Sequence, residues 1–304
     1  SRTSLSATGV VTTGPITTTE TATTGTPTAS TLLSSILGNL TINKPVITES
    51  DRIVGTSIGT FMSRIKTDVA DSITTLGKTS TNTFTGTNMT VEAGKTVTAG
   101  DTASTGTSIN SLSLTGDIDI LGYLASTGTS AYNTLSGANI TTGSNSQITT
   151  TANSDSGTSS GKFTANTGNI LINGIVKTEE TSATSTGTTN AKNEFIATAG
   201  AITVSGGVQT TGLSTSNTSK AETIFTALNT TIGRVSIANG ATVATSGASA
   251  YTTVEAGDDI SIGSTAGGGA SVTTTATSDS GPSTCKLTAN PVNTQSLCAM
   301  RIKA

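Results

Sequence analysis

From Phe84 to the C-terminus a short phrase keeps returning: an apolar residue, a polar one, another apolar one, then a glycine. It reads Ile118-Asp119-Ile120-Leu121-Gly122, Ile140-Thr141-Thr142-Gly143 and Ile170-Leu171-Ile172-Asn173-Gly174. It continues as Ile202-Thr203-Val204-Ser205-Gly206, Val235-Ser236-Ile237 ahead of Gly240, and Ile260-Ser261-Ile262-Gly263. Alternation of this kind is the pattern of a strand, and its recurrence without an intervening helical period points to stacked coils. Two further columns run beside it. A larger apolar residue opens each coil: Phe84, Leu112, Leu135, Phe163, Phe195, Phe225, Val254 and Leu287. A third column pairs an apolar residue with a hydroxyl two positions on: Leu124 with Ser126, Ile148 with Thr150, Val176 with Thr178, Val208 with Thr210, Val243 with Thr245 and Val272 with Thr274.

Three short strands per coil with Gly, Asn and Ser at the corners predict a triangular parallel β-helix, an all-β solenoid. Parallel crossovers favour the right hand. At strand spacing, seven or eight coils make a body of roughly 35–40 Å.

Composition supports order in β form. Charged residues are 11% and aromatics 3%, with a net charge of -3 and 5 prolines. Disordered chains are usually rich in Glu, Lys and Pro and far from neutral. Here the polar excess is Thr, whose branched side chain disfavours helix and suits a pleated strand. There is no basic cluster to displace counterions from phosphates, and few aromatics on which bases could stack, which argues against nucleic acid. No apolar run is long enough for a transmembrane helix, so membrane insertion is not expected.

The first 78 residues read differently. Residues 1–49 are Thr-rich, contain Pro15, Pro27 and Pro45, and are expected to form an extended N-terminal arm able to add a strand to a neighbour. Across residues 50–78, Ile53, Val54, Ile58, Phe61, Met62, Ile65, Val69, Ile73 and Leu76 recur at three- and four-residue steps. That spacing predicts an amphipathic helix capping the first coil, with Ser50 or Asp51 at its start and Gly77 at its end. The β-helix, with a C-terminal cap, then spans residues 79–304.

A longer echo supports the register. Gly128-Thr129-Ser130-Ala131-Tyr132 matches Gly247-Ala248-Ser249-Ala250-Tyr251, and Lys162-Phe163-Thr164-Ala165-Asn166 matches Lys286-Leu287-Thr288-Ala289-Asn290. A block of coils has been copied. Phrases such as Gly168-Asn169-Ile170-Leu171-Ile172-Asn173-Gly174 and Ala199-Gly200-Ala201-Ile202-Thr203-Val204-Ser205-Gly206 resemble the right-handed parallel β-helices of bacterial surface adhesins and autotransporter passengers. Asn82-Thr83-Phe84-Thr85-Gly86-Thr87 also resembles repeats of viral and phage fibre proteins. The resemblance implies an exported surface protein and carries over no functional residue.

Catalytic chemistry finds little to work with. The chain has no His, which removes the Ser-His-acid triad and His metal ligands. The carboxylates that could cleave a polysaccharide are Asp117 with Asp119 and Asp258 with Asp259, but they lie in different coils and no Lys or Arg is matched to either pair across the columns. They read as solvated strand-edge acids, and no catalytic, cofactor-binding or metal-ligating set is assigned. Ice binding would need an outward Thr ladder, whereas the outward positions of the third column are Ala125, Thr149, Lys177, Gln209, Ala244 and Thr273.

Cys285 and Cys298 are the only cysteines. Their spacing without a CxxC pattern fits an intrachain disulfide stapling the last coil of an exported protein, with two buried thiols as the alternative. Five sequons, at Asn39, Asn88, Asn139, Asn217 and Asn229, are compatible with export. The expected function is that of a structural subunit of an extracellular filament or of a cell- or virion-surface fibre. Its partners would be copies of itself and surface glycans, with no enzyme activity and no cofactor. An attachment fibre or adhesin is the alternative, and a carbohydrate-active enzyme stands third.

Overall fold

The computed structural model describes residues 1–21, 25–51, 53–154, 156–181, 190–213, 219–263, 269–278, 281–289, 294–295 and 299–302. Among these residues there is no helix, and every strand pairing is parallel. A typical winding runs Ser130–Gly137, a corner, Ile140–Thr142, a second corner, then Gln147–Ala152. The pattern recurs up to Ser249–Ala256, Ile260–Ile262 and Ser271–Ala276. The protein is a parallel β-solenoid with three faces, called first, second and third in chain order.

The third face is an eleven-stranded sheet with one strand from each winding, so nine inner windings lie between two of their own kind. At about 4.8 Å per winding the body is roughly 50 Å long. First and second faces belong to one 20-stranded sheet. They are joined because Thr56–Val69 and Thr79–Val91 turn the corner as unbroken strands.

Register fixes the core. The larger apolar column runs through every winding as Leu5, Leu33, Phe61, Phe84, Leu112, Leu135, Phe163, Phe195, Phe225, Val254 and Leu287, each facing the next across a strand pair. Where Phe follows Phe the rings stack, with centroids 4.7 Å apart for Phe61–Phe84, 4.8 Å for Phe163–Phe195 and 4.9 Å for Phe195–Phe225. The second column piles Ile118, Ile140, Ile170, Ile202, Val235 and Ile260 in the same way, all buried. The glycines at Gly122, Gly174 and Gly206 are required by this stacking, because a Cβ there would meet the backbone of the preceding winding. A Cβ on Gly206 would lie 2.0 Å from the carbonyl oxygen of Gly174, one winding away.

The expected helix over residues 50–78 is absent. That segment holds the strands Thr56–Val69 and Ile73–Leu76. Phe61, Val69 and Ile73 point into the core, Ile58 and Met62 lie half-buried on the outside, and Ile65 is exposed. The inward positions between the apolar ones are Ser57, Gly59, Ser63, Thr67 and Thr75, all buried. Small polar residues inside therefore hide the period of two, and inward and outward apolar residues together imitate a helical spacing.

The extended arm over residues 1–49 is corrected for the same reason. It forms the first two windings, with Arg2–Ala7 paired to Thr28–Ser35, Val11–Thr13 to Leu40–Ile42 and Ile16–Thr19 to Val46–Glu49. The phrase was present there as Val11-Thr12-Thr13-Gly14 and Leu40-Thr41-Ile42. These windings and the one built by Thr56–Val69 raise the count above the expected seven or so.

Phe195 has a ring neighbour on each side, so Phe195→Ala removes two stacks and opens a cavity that the rigid strands cannot close. A loss of about 3–5 kcal/mol is expected, measured by urea unfolding against the outward control Thr164→Ala, for which about 0.5 kcal/mol or less is expected.

Candidate functional site

Inside the solenoid the first and third faces each carry a polar column. On the third face it runs Thr18, Thr48, Thr75, Ala99, Ser126, Thr150, Thr178, Thr210, Thr245 and Thr274. On the first it runs Thr3, Thr31, Gly59, Asn82, Asn110, Asn133, Gly161, Asn193, Thr223, Thr252 and Cys285. The hydroxyls of the third column point inward, as alternation required.

The two columns lace together. Asn82 Nδ2 donates to Asn110 Oδ1 at 3.0 Å, Asn110 Nδ2 to Asn133 Oδ1 at 2.9 Å, and Asn133 Nδ2 to Thr150 Oγ1 at 2.8 Å. Farther along, Thr178 donates to Asn193 Oδ1 at 2.7 Å, Asn193 Nδ2 donates to Thr210 at 2.9 Å, and Thr210, Thr223 and Thr245 follow at 2.7 Å steps. Thr252 and Thr274 extend the chain. At the other end Thr48, Thr31, Thr18 and Thr3 form a run of the same kind.

Each asparagine also donates to a third-face carbonyl, as Asn110 does to Ala125 at 2.7 Å. Glycine interrupts the column at two places. A Cβ on Gly59 would meet Asn82 Oδ1 at 2.7 Å, and one on Gly161 would meet Asn193 Oδ1 at 2.6 Å. At Ser126 the third-face column drops out, leaving its buried hydroxyl without a hydrogen-bond partner.

The predicted acids sit at the corner entering the second face and on that face itself. Asn139 Nδ2 donates to Asp117 Oδ1 at 2.8 Å, and the backbone N–H of Asp117 donates to Asn88 Oδ1 at 2.8 Å. Asp119 lies on the outward row of the second face, opposite Thr90, with Asp68 beyond it. Burial first, and then the charge of Asp117, push the Asp119 carboxyl above its ordinary 3.8, while Lys66 pulls it down. Lys66 itself pairs with Asp68 at 2.6 Å.

The other pair is bridged by Arg234, whose Nε lies 2.8 Å from Asp258 Oδ2 and 3.8 Å from Asp259 Oδ2. Both pairs thus have the cationic neighbour that sequence comparison across columns had not matched to them. Arg234 falls in the corner residue 229–234, before the strand, where no column marks it.

Cys285 occupies the last described place of the asparagine column and is in disulfide form. Its predicted partner, Cys298, lies outside the described residues, as does the sequon Asn217. The outward third-face row is Ala125, Thr149, Lys177, Gln209, Ala244 and Thr273, in register as expected.

The outside of the first face holds the residues that pattern reading missed. One row there reads Tyr132, Ser160, Lys192, Glu222, Tyr251 in successive windings. A neighbouring row places Lys162 beside Glu194. Glu194 meets Lys192 at 2.8 Å and Lys162 at 3.4 Å. Burial, the largest single effect, raises the Glu194 carboxyl, but the hydrogen bond and charge of Lys192 with the charge of Lys162 outweigh it and hold it below the ordinary range. Between Tyr132 and Lys192 the short Ser160 leaves a depression of about 270 Å³, edged by Asn190, Lys220 and Glu222. Side chains on an outward row bear no hydrophobic period, so only the three-dimensional register reveals the grouping.

Compared with known proteins, the chain matches no protein-family description, no curated protein and no solved structure.

Two outcomes test the geometry. Asn110→Ala takes partners from Asn82, Asn133 and the Ala125 carbonyl. It should destabilise by about 1–3 kcal/mol per group left unsatisfied, whereas its outward neighbour Ser111→Ala should change stability by about 0.5 kcal/mol or less in the same denaturation experiment.

Asp119 binds its proton more tightly folded than unfolded, so its contribution favours the fold at low pH and is lost as pH rises through the raised value. Asp119→Asn is therefore expected to raise the melting temperature at neutral pH, with the difference closing as pH falls below 3.8.

Proposed function

We propose that this protein is a structural subunit of an extracellular filament or surface fibre, in which the solenoid is the rod. The observation that supports it most is the inner pair of polar columns, laced from Thr48 to Thr3 and from Thr178 to Thr274 with a separate Asn82–Thr150 run between. These columns lie inside the rod, where they hold successive windings together and meet no substrate. The low charge of the outside suits close lateral packing, since few ions need desolvation.

Assembly by a detached N-terminal arm does not fit this architecture, because residues 1–49 are already paired within the first two windings. Contacts between subunits are instead assigned to the solenoid itself, through its faces and its terminal windings.

Antibody raised against the folded chain, applied with gold label to intact source cells or particles, should decorate surface filaments. Label confined to the cell interior would sink the proposal. A second reading, an attachment fibre, is favoured by the aromatic and charged grouping around Ser160.

A further inference from the structure

The geometry points to a carbohydrate-binding groove on the outside of the first face, centred on Ser160 and accepting a neutral pyranose. It deepens the attachment reading and does not depend on filament assembly.

The groove follows from register. Tyr132, Ser160, Lys192 and Glu222 occupy one outward position in four successive windings, and Thr158, Asn190 and Lys220 occupy the position two residues earlier. Ser160, the smallest of its row, sinks the surface between the Tyr132 ring and the Lys192 stem. The volume, about 270 Å³, is just below the usual range for small-ligand pockets, which suits one sugar ring and not a large cofactor.

The chemistry of the walls selects the class. Tyrosine offers an apolar ring with a polar tip, the surface that the C–H face of a pyranose covers. Asn190 contributes an amide able to donate and accept, Ser160 and Thr158 contribute hydroxyls, Lys220 donates and Glu222 accepts. The charge of Lys192 is already directed to Glu194 at 2.8 Å. Lys220 and Glu222, two residues apart on one strand, make no ion pair among the described residues and set one positive charge beside one negative charge on the same wall. A ligand dense in hydroxyls and without net charge satisfies such walls. A phosphate or a sulfated glycan would find Lys192 already committed to Glu194 and Lys220 with Glu222 beside it on the same strand.

The row then reaches Tyr251, about 19 Å from Tyr132 at strand spacing. A second ring at that distance lets an oligosaccharide lie along the rod axis with an aromatic at each end.

The test uses the full chain on an array of neutral and acidic glycans, followed by calorimetric titration with the best neutral tetrasaccharide. Saturable binding is expected, unchanged by moderate salt. Tyr132→Ala should weaken it about tenfold or more, and Tyr132→Phe should retain it. Ser160→Lys, which fills the depression with a side chain the next winding already carries, should abolish it at unchanged melting temperature. Tyr251→Ala should weaken the tetrasaccharide but not the monosaccharide.

No neutral glycan bound at millimolar concentration, binding only to acidic glycans with steep salt dependence, or affinity indifferent to both Tyr132→Ala and Ser160→Lys would each overturn the proposal. Because monomers in solution serve, failure here leaves the filament reading standing, and failure to find surface filaments leaves this one standing.

Discussion

The interior of this protein descends from parallel pairing in a register that is held from winding to winding, apart from a shift between Ser63 and Lys66. Once successive windings align residue for residue, a side chain inside has two obligatory neighbours, the same position above and the same position below. An apolar position must therefore be apolar in many coils, and a buried amide must find its partners along the axis or cross to the facing column. The phenylalanine stacks and the asparagine–threonine lacing are two solutions to that one condition. The condition also explains why the polar columns are so complete. A buried hydroxyl or amide without a partner loses its hydration and gains nothing, and Ser126, Ser159 and Thr13 are the few described cases where one is left over.

The same condition governs what could be read without coordinates. The apolar columns from Phe84 onward were legible because Phe, Ile, Leu and Val recur at equivalent places, and the register pairs them as the alignment had them. The inward direction of the third-column threonines followed from alternation alone. Residues 1–78 were misread because their inward positions are filled by Thr31, Thr48, Ser57, Thr67 and Thr75. Hydropathy reports which side a residue faces only when the interior is apolar, and in this solenoid a good part of it is not. Ile53, Val54 and Ile65, all exposed, then completed a false helical face.

The outside was harder still. Arg234 beside Asp258, Lys66 near Asp119 and the row from Tyr132 to Tyr251 are groupings made by windings that sit tens of residues apart in the chain. Their positions, in corners or on outward strand faces, are ordinary ones for solvated side chains, so nothing in composition or spacing distinguishes them. Arg234 sets one cation beside Asp258 and Asp259, a neighbour that the pattern along the chain did not show.

The copied block that begins at Gly128 and returns at Gly247 displaces Tyr132 to Tyr251, four windings along the same row. A translational repeat offers a backbone edge of the same kind at every level, so a segment comprising whole turns can be added with strand pairing kept on either side. Extension by gene duplication thus preserves backbone pairing in a way it does not for a globular domain. Reach becomes a heritable variable, adjustable in units of one turn, while the decoration of each side evolves separately.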